Sequence, residues 1–285
     1  MSGDSAKQSV PSIRANGADI PCIGFGTYGI SSVDMLRLIP AALKTGFRHI
    51  DTAQVYGNEA EVGEGILRSG VPREDVFITT KVWVSNLPRR RFLASVDESL
   101  RNLQTDFIDL LLLHWPSNLV PLADQIGVLN EVVHGGKVLN IGVSNFNSAL
   151  VEQAVELSDI PLATNQFEYH PYLNQSTILG ATRRGGMSPT AYCSMAVGKV
   201  FTDPLLKSIA ARYRKSVSQI VLRWIIQQGV VALSRTVHEE RLAENINVFN
   251  FELGADDMAA IHKLAVPNSR IVDPLGLAPV WDATT

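Results

Sequence analysis

Four residues suited to proton chemistry stand at, or just beyond, the ends of three short apolar runs. Phe47 to Ile50 leads into Asp51, Val76 to Thr80 into Lys81, and Leu110 to Leu113 into His114. Tyr56 follows Asp51 in a loop with Gly57 and Asn58 as turn residues. Polar groups at buried strand ends are costly unless paired, so each calls for a reason. A phenol with a pKa of about 10 is a weak acid at neutral pH. An ammonium about 4 Å away, at an effective dielectric of about 20, favours the phenolate by roughly 4 kcal/mol, about three pKa units. The expectation is that Lys81 makes Tyr56 a usable acid, that Asp51 keeps Lys81 charged and oriented, and that His114 orients a carbonyl or shares in proton donation. Taken singly, each residue has a plainer reading. Asp51 and Lys81 could be an internal ion pair, Tyr56 a loop residue and His114 a satisfied core histidine.

The elements that must position these groups alternate regularly. Strands are expected at Ile20–Gly24, Phe47–Asp51, Val76–Lys81, Asp109–His114, Val138–Ser144, Ala163–Phe167, Pro189–Tyr192 and Val230–Leu233. Helical patterns separate them, at Val33 to Thr45 and Arg89 to Leu103, then at Asp203 to Arg214 and Val217 to Gln228 before the last strand. Glu239 to Ile246 and Asp256 to Leu264 follow it. Short strands alternating with helices imply a parallel sheet with right-handed crossovers, and eight units favour a closed α/β barrel of the (β/α)8 type. Chemistry in such barrels lies at the strand C-termini, where the polar residues fall. No linker divides the 285 residues, so a single domain over 1–285 is expected.

Composition narrows the function. With 46% hydrophobic residues and a net charge of −3, nothing points to disorder, nucleic acid or anionic lipid. Met1 to Pro11 is polar without an apolar stretch, and no apolar run is long enough to span a membrane. Cys22 and Cys193 suggest no disulfide framework, which fits a reducing, cytoplasmic setting. Asn174-Gln175-Ser176 is read as a chance sequon, and the six histidines lack paired metal-ligand spacing. Gly24-Phe25-Gly26-Thr27-Tyr28-Gly29 satisfies the dinucleotide fingerprint in form, with Asp51 downstream. Ile30, Ser31 and Ser32 intervene before the helix, so these glycines are read as turning the first barrel loop.

Asp51, Tyr56, Lys81 and His114, in that order, resemble the catalytic tetrad of the aldo-keto reductase family. His114-Trp115-Pro116, Ile141 to Phe146 and Asn165 to Tyr172 resemble that family's segments after its fourth, fifth and sixth strands. The resemblance runs from the N-terminal hairpin at Asn16-Gly17 to about Leu253, and implies a barrel whose floor that hairpin closes. It implies reduction of aldehydes or ketones by NADPH, with alcohol oxidation and NADH left open. By position, Ser144, Asn145 and Gln166 would bond the nicotinamide amide and Tyr192 would stack on the ring. Cys193-Ser194-Met195 replaces the usual Ser-Pro-Leu near the pyrophosphate. Arg235 and Thr236 stand for a Lys-Ser phosphate pair, and Arg241, Glu244 and Asn245 match positions for the 2′-phosphate and adenine. Thr236 and Glu239 could instead form a capping box.

Tyr28, Trp83 and Trp115 would line an aromatic substrate pocket, left open by the short Ser117 to Pro121 segment. The tail, 267–285, with Trp281, is expected over its mouth. A small-molecule carbonyl or alcohol is the expected partner, and the chain is expected to be a monomer or weak oligomer. A competing function is a cofactor-holding auxiliary subunit without catalysis. A metal-dependent hydrolase is a third reading, and no metal is expected.

Overall fold

A computed structural model describes residues 10–283. Most of the polar N-terminal stretch, 1–9, and the last two residues of the tail lie outside the described residues.

Eight parallel strands close into a barrel in the order β10-β3-β4-β5-β6-β7-β8-β9. They are β3 (Ile23–Gly26), β4 (His49–Asp51), β5 (Phe77–Val82), β6 (Ile108–Leu113), β7 (Val138–Ser144), β8 (Thr164–Glu168), β9 (Ser188–Tyr192) and β10 (Val231–Ser234). The period-two pattern of β6 shows how the wall divides. Leu110 and Leu112 join an inner cluster, while Leu111 and Leu113 join the outer layer between sheet and helices. The antiparallel hairpin of β1 (Ser12–Ala15) and β2 (Ala18–Pro21) sends Ala18 and Ile20 into that same inner cluster, against Leu110, Leu112, Ala163 and Val231. Asn16 fastens it by donating to Leu162 O at 2.7 Å and Gly185 O at 3.1 Å.

The strand expected at Ile20–Gly24 is in fact two elements. Pro21 has no amide to donate and Cys22 N turns back to Pro11 O, so Ile20 stays with the hairpin and the barrel strand begins at Ile23. The expected helices are found as α1 (Ser32–Thr45), α3 (Arg89–Leu103), α7 (Pro204–Tyr213), α8 (Val217–Gln227), α9 (Glu240–Ile246) and α10 (Ala255–His262). Four more, α2 (Glu59–Ser69), α4 (Leu122–His134), α5 (Ser148–Leu157) and α6 (Ser176–Arg184), complete the outer ring. Their start signals are local. Ser31 accepts from Asp34 N ahead of α1, and Ser216 and Gln219 form a capping box on α8. In α2, a Cβ on Gly63 would lie 2.6 Å from the Leu103 backbone, and one on Gly65 2.7 Å from Ile39 Cβ. The two glycines, on opposite sides of α2, therefore let it sit close to both neighbouring helices.

Candidate active site

Asp51 ends β4, and its register partner on β5 is Thr79. Lys81 stands two residues further along β5 and reaches back, so that Nζ donates to Asp51 Oδ1 at 2.6 Å and to Thr52 O at 2.8 Å. The other carboxylate oxygen accepts from Gln166 Nε2 on β8 at 2.8 Å. Both charged side chains are buried. Burial lowers the Lys81 pKa, and the Asp51 charge opposes that shift.

Tyr56 lies on a single 3-10 turn, Gln54–Tyr56, closed by Gly57 in the left-handed region at φ 65°. Its ring meets Lys81 Nζ at 5.3 Å, the His114 ring at 5.7 Å and the Tyr28 ring at 5.1 Å, measured to ring centroids. The four groups therefore do surround one point. The expected electrostatics differ, however. Burial, then the Asp51 charge, then Tyr192 and Tyr28, push the Tyr56 hydroxyl well above the usual phenol range. Lys81, paired with Asp51, does not offset these effects at the phenol. Tyr56 is thus held protonated. Burial, with Lys81 adding repulsion, drives His114 well below the usual imidazole range, so it stays neutral.

A second set of polar groups continues from this point across β7, β8 and β9. Ser144 Oγ donates to Gln166 O at 2.9 Å. Asn145, at φ 62°, donates through Nδ2 to His114 O at 3.0 Å and to Ser144 Oγ at 3.1 Å, while its Oδ1 accepts from Tyr192 at 2.6 Å. These groups tie the imidazole's backbone to a half-buried aromatic platform. Cys193 follows it, half-buried, with its thiol pushed up to about 11 by burial first and the Glu168 charge second.

The residues expected at the phosphate end are less uniform. Arg235 donates from Nε to Tyr28 O and from Nη2 to Gly29 O, both at 2.8 Å, so its guanidinium is a strut to the first barrel loop. Gly29 stands at φ 64°, in the left-handed region that favours glycine. Gly24 is kept small for another reason, since a Cβ there would lie 2.8 Å from His49 Nδ1 and from Leu233 Cδ2. Thr236 makes a local turn with His238. Glu239 is not its capping partner but pairs with Arg37 at 3.2 Å. Glu244 accepts from Ser216 at 2.6 Å and so braces the start of α8. Arg241 is exposed and forms no ion pair among the described residues, and Asn245 is buried on the same short helix. The set fits a nicotinamide dinucleotide through its amide and hydroxyl groups at one end and Arg241 at the other.

Trp83 stacks edge-on to His114 at 5.2 Å. Tyr28 is exposed over Tyr56, whereas Trp115 is buried, with Trp281 of the tail 6.5 Å away. Two functional candidates had not been singled out. Gln54 Oε1 accepts from Trp83 N at 3.1 Å and from Asn86 Nδ2 at 3.0 Å, and so places the indole. Glu168 ends β8 with a fully buried side chain. Its signal, an acid between Phe167 and Tyr169 at a strand end, was the same as that of Asp51.

The sequence model of the Aldo/keto reductase family matches residues 22–266. The chain belongs to that family. Methylglyoxal reductase DkgB of Escherichia coli O157:H7 is 38% identical over 266 residues, covering 92% of this chain and 99% of the relative. Aldo-keto reductase Rv2971 of Mycobacterium tuberculosis H37Rv is 38% identical over 280 residues, covering 98% and 99%. Among solved structures, a candidate 2,5-diketo-D-gluconic acid reductase B superposes with a TM-score of 0.95 at 57% identity, covering 97% of this chain and 99% of that one. A Bombyx mori aldo-keto reductase in complex with NADP gives a TM-score of 0.87 at 32% identity, covering 94% and 96%. This aldo-keto reductase is accordingly an NADPH-dependent oxidoreductase acting on carbonyl groups.

Proposed function

We propose that the chain reduces small aldehydes and ketones, dicarbonyls such as methylglyoxal among them, with Tyr56 as the proton donor. The observation that carries this reading is the buried Asp51–Lys81 pair beneath the Tyr56 ring, with neutral His114 beside it. NADPH, when bound, supplies the hydride. The protein's part is to place and neutralise the carbonyl oxygen. His114 holds that oxygen by a hydrogen bond and Tyr56 gives it a proton as negative charge builds there. With its pKa raised, Tyr56 carries its proton at neutral pH, and the forming alkoxide is a strong enough base to take it. Lys81, fixed by Asp51 and Thr52, is the positive end of an oriented dipole under the ring.

Gln166, Ser144 and Asn145 would orient the nicotinamide amide over Tyr192, and Arg241 would take the 2′-phosphate. Tyr28, Trp83 and His114 would form one side of the pocket wall, and buried Trp115, covered by Trp281 of the tail, would close another. We further hold that the tail covers the mouth of one barrel domain, and that the protein works in the cytoplasm as a monomer or weak oligomer. Gel filtration tests the assembly state. The function is tested by mixing the purified protein with methylglyoxal and NADPH and following cofactor absorbance. Loss of absorbance, faster than with NADH, is expected. Silence across a panel of reactive carbonyls would instead favour an auxiliary, non-catalytic role.

A further inference from the structure

The proposed reaction makes no use of Glu168, yet its carboxylate is completely buried at the rim of the barrel. A charge in that position is tolerated only where donors surround it. Here they come from a segment about a hundred residues later in the chain. Ile271 N donates to Oε1 and Val272 N to Oε2, both at 2.8 Å, and His170 Nε2 lies 2.9 Å from Oε1. Two consecutive backbone amides thus clasp both oxygens of one carboxylate. Gln175 Nε2 donates to Glu168 O at 2.8 Å, and its Oε1 accepts from Arg270 Nη2 at 3.3 Å, adding a second tie to the same stretch.

That stretch leads to the pocket. The Arg270 guanidinium lies 3.6 Å over the Trp281 ring, and Trp281 meets Trp115, the neighbour of His114. Trp281 Nε1 also donates to Asp273 Oδ1 at 2.9 Å. On its other side, Glu168 is the register partner of Tyr192 in the β8–β9 ladder. One carboxylate therefore connects the tail to the strand level of the aromatic platform. The far end of the tail has its own fastening, since Asn147 donates to Val280 O and Ser148 donates through N and Oγ to Asp282. At the inner end Val266 N and Ser269 Oγ donate to Tyr172 O, and beyond them residues 270–272 are held by Gln175 and Glu168.

We propose that Glu168 is a specificity-determining positioning residue, which clamps residues 270–272 to the rim so that Trp281 seats on Trp115 and limits the bulk of the carbonyl admitted. This rests on the reductase reading above. Freed from the clamp, Arg270 and Asp273 withdraw from the indole, its ring swings off Trp115 while Val280 and Asp282 stay fastened to α5, and the pocket widens toward larger substrates.

Glu168→Gln tests this with little change of volume. The new amide must set its NH2 against one of the two backbone amides, donor against donor, whichever way it sits. Loss of one charge-assisted bond speeds local opening by about tenfold or more, so the Ile271 and Val272 amides exchange hydrogen faster while strand amides keep their protection. The kcat/KM ratio for a naphthaldehyde over methylglyoxal rises by about fivefold, through KM for the larger aldehyde. Trp281→Ala reproduces the shift in ratio without loosening the two amides, and the double variant adds nothing to the larger single effect. A folded Glu168→Gln with both amides still protected would overturn the proposal, as would loosened amides with an unchanged ratio. Should the parent enzyme oxidise no NADPH, the reductase reading fails, and the exchange measurement still decides whether Glu168 holds the tail.

Discussion

Lys81 Nζ sits 2.6 Å from Asp51 Oδ1, with side chains 1% and 4% exposed, so the ammonium beneath Tyr56 acts as one end of a dipole and not as a free charge. Removing one partner strands the other. Lys81→Met is expected to lose about 3–5 kcal/mol of stability, read by denaturant unfolding, together with turnover. Pairing it with Asp51→Leu should return much of the stability and none of the activity. Recovery of turnover in the double variant would show that the pair is only structural.

The pH dependence follows from two opposite shifts. Burial and Asp51 raise the Tyr56 pKa, and burial lowers that of His114. Reduction needs the phenol protonated and the imidazole neutral. Its kcat/KM should therefore be flat through neutrality and fall only below the ordinary histidine pKa of about 6.5. Alcohol oxidation needs the phenolate, so its rate should climb with pH beyond about 10, the ordinary tyrosine value. Initial rates in both directions measure this, and an alkaline limb near neutrality in the reduction profile would contradict it.

Two arginines near β10 should separate by function. Arg241→Ala removes a charge-assisted phosphate contact, and NADPH affinity should drop about tenfold with NADH affinity unchanged, by fluorescence titration. Arg235→Lys keeps the charge but cannot bridge Tyr28 O and Gly29 O together. Losing one hydrogen bond of about 1 kcal/mol should raise the substrate KM by about fivefold and leave NADPH affinity close to that of the parent.

His49 sets an acid limit on the fold. It is buried with Nε2 2.9 Å from Thr79 Oγ1, and burial pushes its pKa down to about 4. The folded value lies below the unfolded one. Its contribution is thus fully present above about pH 6.5 and is lost as pH falls toward 4, by up to about 3 kcal/mol. His49→Gln should flatten this part of the stability curve, measured by urea unfolding across that range.

The strand ends were legible because a polar residue closing an apolar run is a sharp signal, and Asp51, Lys81 and His114 each carry it. Direction was harder to read than position. The sequence places Lys81 near Tyr56 but does not reveal that burial and the Asp51 charge push the phenol the other way, since that depends on the folded arrangement. Ile20 and Ile23 looked like one strand because Pro21 and Cys22 interrupt the ladder without interrupting hydrophobicity. Arg235 and Glu244 were assigned by position in the family's phosphate and adenine segment, yet a guanidinium serves a backbone carbonyl as well as a phosphate, and a carboxylate serves a serine as well as an adenine. Glu168 went unread because its donors, Ile271 N and Val272 N, are backbone groups, which no side-chain pattern discloses.

The most direct measurement is turnover of Tyr56→Phe, which removes one oxygen and leaves the ring on Lys81, His114 and Tyr28. A fall of about 10²–10⁴ in kcat is expected, with NADPH affinity equal to that of the parent by fluorescence titration. Turnover close to the parent's would mean that the proton reaches the carbonyl oxygen from another group.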